Sequence, residues 1–321
     1  MKVSVSIVTF NHEKFIAQAI DSVLMQKTDF DYEIIIGEDE SEDNTRTIVK
    51  DYKSRYQDKI RLFLNNRKKL IYINGRPTGR LNLINNLRHA QGEYVALLEG
   101  DDYWTDPYKL QKQVDFLDSN PDFSICFHNA YRLNELDECQ LMLGSYLCTE
   151  NQKTVSNLED IMTNNFIPTL TVMYRNKLFD DFPEWYLHVP FGDWPLHILN
   201  AQFGKIGYLN ETMAVYRMHP GGATASIFGN KEKYIKHISE IIQTYEILKP
   251  YLGPKYLNLI RHRISDWYRI QAETYGENGN IISALRLYSK SALINPNRMN
   301  MIKVPKTILS LLINQLRKTD A

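Results

Sequence analysis

Glu99, Gly100, Asp101 and Asp102 come straight after the apolar run 94–98, YVALL. Carboxylates ~4 Å apart repel by about 4 kcal/mol at an effective dielectric of about 20. A buried strand that delivers three acids to one spot therefore needs a compensating charge. A second cluster, Glu38-Asp39-Glu40-Ser41, follows the apolar run 33–36. One explanation serves both: a divalent cation, Mg2+ or Mn2+, which prefers oxygen ligands and takes one or two carboxylates while substrate phosphates complete its shell. Solvated turns and helix N-caps are the plainer alternative, with Asp101 or Asp106 capping a helix that begins near Pro107. Two clusters behind two apolar strands, with Tyr103 and Trp104 next in line, favour the ion.

The elements that must position these acids are legible from periodicity. Val3–Thr9 is apolar and β-branched, as a central strand is. Phe15, Ile16, Ala19, Ile20, Val23 and Leu24 recur at helical spacing after the turn Asn11-His12. Residues 33–36 and 60–64 read as strands, with a helix from Ser41-x-x-Asn44 to Tyr52 between them. Residues 82–90 read as a helix that Gly92 breaks before the strand 94–98. This alternation predicts a mostly parallel sheet with helices on both faces. Ligands of such sheets bind beyond the carboxyl ends of the strands. There the sequence puts Thr9-Phe10-Asn11 and both acidic clusters.

Composition narrows the class. The chain has 321 residues, room for one large α/β domain or for a domain of about 230 residues with an appendage. Its 38 basic residues equal its 38 acidic ones, so the basic excess of a nucleic-acid partner is missing. Cys126, Cys139 and Cys148 have no metal-type spacing and read as reduced thiols of a cytosolic protein. The sequence opens on KVSVSIVTF with no signal segment, and no run of 18 apolar residues spans a membrane.

The motifs VSIVTFNHEKFIAQAIDSVLMQ, EIIIGEDESEDNT, AQGEYVALLEGDDYWTDPYKLQKQVDFL, FGDWPLHI and VYRMHPGG stand in a set order over about the first 230 residues. In that order and spacing the chain resembles a family 2 glycosyltransferase of the GT-A fold. The resemblance implies an α/β fold with a Rossmann-like, mostly parallel sheet over residues 1–230. Residues 1–102 would form the nucleotide-binding half and 103–230 the acceptor half.

It also implies roles, position by position. Thr9, Phe10 and Asn11 match a loop that lies along the nucleoside, and Asp39 an acid that hydrogen-bonds the base. Asp101 and Asp102 match the DxD-type acids, the first near the ribose and the second on a metal bound to the diphosphate. Arg80 matches a basic residue near the nucleotide, a role for which Arg76 competes. Asp193 matches a catalytic base, whose carboxylate takes the acceptor hydroxyl's proton as the oxygen attacks the anomeric carbon. One base with direct displacement inverts the anomeric configuration. Asp193 could also N-cap the following helix, and the two readings are compatible. His219 matches a histidine near the diphosphate and metal, and Gly221-Gly222 suits a loop closing over the donor. Tyr103 and Trp104 could floor a sugar site or wedge the core.

Two positions depart from the family pattern. Glu40 stands where the turn after the second strand usually has glycine, so a positive φ is not expected there. Glu99 stands for the aspartate that usually opens the DxD region.

Beyond about Lys231 the strand runs stop, and residues 231–321 read as an all-helical C-terminal extension. Ala272, Tyr275, Gly279, Ala284, Tyr288 and Pro296 follow the spacing of one tetratricopeptide-like hairpin, expected to pack on the catalytic domain rather than to bind a partner. Residues 301–318 mix apolar and basic side chains. They could lie on an anionic membrane surface, or dock on the helical region or on a second subunit of a homo-oligomer; docking on protein is favoured.

A nucleotidyltransferase would want a glycine-rich loop after the first strand and a dehydrogenase GxGxxG; TFNHEKF offers neither. The expectation is a metal-dependent, inverting, hexosyl-type glycosyltransferase. It takes a nucleotide-diphosphate sugar, UDP favoured, with Mn2+ or Mg2+. The acceptor is a hydroxyl of a cell-surface glycan or lipid-linked precursor, and the location cytoplasmic, with the inner membrane face as a peripheral contact. A catalytically silent nucleotide-sugar binder or scaffold is the alternative.

Overall fold

The structure is a computed structural model that describes residues 1–134, 142–148, 151–222, 227 and 230–296. Cys139 and the segment 301–318 fall outside the described residues.

The strands in chain order are β1 Val3–Thr9, β2 Tyr32–Glu38, β3 Ile60–Leu64, β4 Ile71–Ile73, β5 Arg76–Thr78, β6 Tyr94–Glu99, β7 Tyr103–Trp104, β8 Phe123–Asn134, β9 Met142–Tyr146, β10 Val155–Ser156, β11 Met173–Arg175 and β12 Lys205–Met218. The helices are α1 Ile16–Leu24, α2 Thr45–Arg55, α3 Arg80–His89, α4 Lys109–Ser119, α5 Leu158–Thr163, α6 Asp193–Ala201, α7 Lys231–Leu248, α8 Leu257–Glu277 and α9 Ile281–Ile294.

One sheet runs in the order β10-β12-β8-β11-β6-β1-β2-β3. β6, β1, β2 and β3 are mutually parallel, as are β8 and β12; β11 joins the two groups antiparallel to both neighbours. β1 and β2 are buried along almost their whole length, polar residues included: Ser4 Oγ donates to Glu33 Oε1 at 2.6 Å between the two strands. Amide side chains of α3 seat that helix on the sheet. Asn82 Nδ2 donates to the Gly37 carbonyl at 2.8 Å and Asn86 Nδ2 to that of Ile7 at 3.0 Å. A Cβ at Gly37 would lie 1.7 Å from Asn82 Oδ1, so the strand needs glycine there.

The chain forms two compact units, Met1–His188 with Gly192–Gly222, and Val189–Phe191 with the chain from Ala223 onward. The second is helical where described. α8 and α9 run antiparallel: Ser265 Oγ lies 2.9 Å from Ser291 Oγ, while buried Ala284 packs beside Tyr275. Gly279 turns the chain between them at φ +76°. Ala272 and Ala284 are fully buried, so the small residues of the tetratricopeptide-like pattern lie where helices close on one another.

Candidate functional site

The carboxyl ends of β1, β2 and β6 meet at one rim. Asp39 N–H donates to the Thr9 carbonyl at 3.1 Å and Gly100 N–H to that of Val8 at 2.9 Å. A Cβ at Gly100 would stand 2.6 Å from Thr9 Oγ1 and 2.8 Å from His12 Nδ1, so only glycine lets the two loops approach this closely. β7 then pairs with β12, Trp104 opposite Ala214 and Tyr103 opposite Val215. That pairing carries the acidic loop to the end of β12, where His219 sits.

Asp101 Oδ2 lies 3.1 Å from His219 Nε2 and 3.7 Å from His12 Nε2. Burial pushes the Asp101 carboxyl up, but the His219 hydrogen bond and the neighbouring His12 more than offset it and hold it below its ordinary value. His12 is lowered, by burial first, with Asp101 opposing. Asp102 faces inward instead. Its residue is 1% exposed, and its Oδ1 accepts the Arg217 backbone N–H at 2.8 Å. Burial, then the charges of Asp101 and Glu99, push its carboxyl well above the ordinary value. The carboxylate in contact with His219 is thus Asp101, while the second oxygen of Asp102, expected with His219 at the metal, is buried without a hydrogen-bond partner among the described residues. Glu99 is pushed up to about 8 by burial and by the charges of Asp101 and Asp193.

A divalent ion suits this pair. Adjacent ligands on an ion about 2.1 Å from each stand about 3 Å apart, and Asp101 Oδ2 and His219 Nε2 have that spacing. Among the described residues no group of three His, Cys, Asp or Glu side chains could hold a metal by itself. Two protein ligands with substrate phosphates filling the shell meet that limit.

Phe10 and Asp39 are bridged by Arg67. The Arg67 guanidinium sits 3.9 Å from the Phe10 ring centre, and its Nη1 lies 3.6 Å from Asp39 Oδ2. Burial raises the Asp39 carboxyl, with Arg67 pulling against it. Asn11, at φ +54°, accepts the Glu42 N–H on its side-chain oxygen at 2.9 Å and donates its backbone N–H to Ser41 Oγ at 2.9 Å. Glu40 reverses an expectation. It adopts φ +57° although it is not glycine, and its carboxylate accepts the Arg67 N–H at 2.7 Å. The left-handed conformation costs about 1–2 kcal/mol; the charge-assisted bond opposes that cost.

Asp193 is the first residue of α6, preceded by Gly192, and no side-chain cap bond forms, so the N-cap reading is also corrected. Half-buried, its Oδ2 lies 3.3 Å from Thr169 Oγ1 and 3.4 Å from Asn165 Nδ2. Asp193 acts on the same Glu99 carboxyl as Asp101 does, so the two share one electrostatic neighbourhood. Arg80 is 4% exposed and donates to the Tyr186 carbonyl. Burial lowers it while Tyr186 and Asp193 raise it, and a Cβ at Gly192, the residue before Asp193, would stand 3.8 Å from its Nε, so it lies beside the start of α6. Arg76 is exposed on β5. Trp104 is a core residue, 1% exposed, with Nε1 donating to the Leu170 carbonyl at 2.9 Å. Tyr103 is half-buried, its ring centre 4.5 Å from the Arg217 guanidinium.

Sequence reasoning missed His12, Arg67 and Arg217. His12 directly follows the first strand's loop and could have been found by position. Arg67 and Arg217 carry no signal, because long-range pairing places them.

Comparisons with known proteins follow the same lines. The profile described as Glycosyl transferase family 2 matches residues 4–181. The Mycobacterium tuberculosis protein Rv1520 is 35% identical over 232 residues, 72% of this chain and 63% of its own, so this chain spans less than two thirds of that relative. Bacillus subtilis TuaG, a putative teichuronic acid biosynthesis glycosyltransferase, is 29% identical over 237 residues, 73% of this chain and 84% of its own. Staphylococcus aureus TarS 1–349 in complex with UDP-GlcNAc aligns over 97% of this chain and 84% of its own, at TM-score 0.57 and 19% identity. The Pyrobaculum calidifontis mannosyltransferase PcManGT with GDP-Man and Mn2+ aligns over 98% and 87%, at TM-score 0.53 and 17% identity. These likenesses show the fold, which is GT-A-like.

Proposed function

The chain belongs to glycosyl transferase family 2, and from that premise we propose that it is an inverting, metal-dependent hexosyltransferase. It transfers a sugar from a nucleotide-diphosphate donor to a hydroxyl of a cell-envelope glycan or lipid-linked precursor. UDP is the favoured nucleotide, and polysaccharide biosynthesis the favoured process, as the names of TuaG and of the TarS complex suggest for those proteins. The observation that carries the proposal is the 3.1 Å pair of Asp101 and His219, at a rim whose Glu99 also feels Asp193.

Each residue then has a task. The loop Thr9-Phe10-Asn11 lies along the nucleoside, and Asp39 accepts a base N–H while Arg67 packs on Phe10. Asp101 and His219 would hold Mn2+ or Mg2+ at the diphosphate. When bound, the ion offsets charge on the departing diphosphate. Asp102 holds the loop by accepting the Arg217 N–H. Arg80 supports the Asp193 side. Asp193 takes the proton of the acceptor hydroxyl while the new C–O bond forms and the bond to the diphosphate breaks on the opposite face. Among the described residues no helix is long and apolar enough to cross a membrane. We place the protein in the cytoplasm, where nucleotide sugars are available.

A thermal-shift screen of nucleotide sugars with and without Mn2+ tests this. A bound donor stabilises the fold in proportion to the logarithm of its concentration once saturating. Stabilisation by a UDP-sugar that needs the metal, followed by transfer to a glycan extract, supports the proposal. Stabilisation without transfer favours the silent binder.

A further inference from the structure

The helical unit carries an open groove of its own, about 430 Å3, between α7, α8 and α9, in which Arg286 and Lys290 are exposed. Arg286 and Lys290 line it from α9, at i,i+4 spacing on one helix face. Tyr268 and Tyr275 line it from α8, and no Asp or Glu is among its lining residues that are described. Lys290 Nζ stands 5.4 Å from the Tyr268 ring centre. Gln271 is fixed on the wall: its Nε2 donates to Ser239 Oγ at 2.7 Å and to the Ile235 carbonyl at 3.2 Å. Its amide oxygen is left to accept from a ligand. Outside the lining, Glu246 pairs with Lys249 at 3.4 Å and Glu273 with Arg269 at 2.6 Å.

We propose that this groove binds an anionic saccharide, a sugar chain bearing carboxylate or phosphate groups. Arg286 offers a planar fork of donors for such an anion, and Lys290 a mobile point charge beside it. The tyrosine faces suit the C–H face of a pyranose ring, and the fixed Gln271-Ser239 pair suits its hydroxyls. A helical or extended peptide would want a continuous apolar groove or a sheet edge, and this wall is mainly polar side chains. The binding stands apart from the transferase reading; only the saccharide's role as acceptor rests on it.

Calorimetric titration of the full chain tests this with four hexamers: oligogalacturonate, a sugar-phosphate oligomer, maltohexaose and hexaglutamate. At least one anionic saccharide binds, at least about tenfold tighter than maltohexaose or hexaglutamate, and the tighter of the two identifies the anion. Arg286→Ala/Lys290→Ala lowers that affinity at least about tenfold, and Arg286→Gln/Lys290→Gln reproduces the loss without shortening the side chains as far. Unchanged affinity in both variants overturns the proposal, as does equal binding of maltohexaose. Equal binding of hexaglutamate overturns it in favour of an acidic peptide. UDP-sugar stabilisation, measured on the same samples, stays as in the parent chain. Its absence from the parent would count against the transferase reading and leave the groove to be judged by the titration.

Discussion

Asp101 Oδ2 and His219 Nε2 stand 3.1 Å apart although 118 residues separate them in sequence. β7 makes this contact by pairing with β12, and Arg217 fixes it by donating its backbone N–H to Asp102 and its Nη1 to the Asp101 carbonyl at 2.7 Å. The acidic loop and the histidine are thereby held as one unit, as the proposed ion shared with a diphosphate would require.

The division of labour between the two aspartates is testable. Asp101→Asn removes a negative ligand and should abolish the Mn2+-dependent part of donor stabilisation, a loss of about 2–3 kcal/mol at a hundredfold excess of donor over its Kd. Asp102→Asn keeps the side-chain oxygen that accepts the Arg217 N–H. It should leave the metal response within about twofold of the parent. A thermal-shift titration of both variants decides; the opposite ranking would put the ion on Asp102.

Asp39 should govern the nucleotide. Asp39→Asn is expected to weaken UDP binding about tenfold, the loss of one charge-assisted hydrogen bond. Calorimetry with UDP, where no sugar or acceptor intervenes, measures it. Unchanged affinity would move the base contact elsewhere on the rim.

Lys109 gives a pH prediction away from the site. It is fully buried over Trp104, its Nζ 3.6 Å from the ring centre and without a hydrogen-bond partner among the described residues. Burial pushes it well below its ordinary value of 10.5. Between that lowered value and 10.5 the unfolded chain binds one more proton than the folded one, so this group makes stability rise with pH across that window. Lys109→Met should remove the slope and add about 2 kcal/mol at pH 7. Denaturant melts of both proteins at pH 7 and pH 10 check it; parallel curves would show that Lys109 titrates normally.

Much of residues 1–102 was legible because short runs rich in Val, Ile and Leu alternate there with segments of helical spacing. Val3–Thr9 and Ile60–Leu64 match their sequence-based bounds residue for residue. What stayed hidden was decided by distant partners. Asp102 is tied inward by an N–H from Arg217, 115 residues away. The positive φ of Glu40 depends on Arg67, in a polar run with no periodicity. Arg80 falls by Asp193 because it packs on Tyr186, 106 residues later.

The most direct measurement is UDP release from a UDP-sugar with a glycan extract, compared between the parent chain and Asp193→Asn. The prediction is release in Mn2+, none above background in chelator, and a fall of about 10²–10⁴-fold in Asp193→Asn with donor affinity kept. Release by Asp193→Asn at the parent rate, or release that ignores the chelator, would contradict the account.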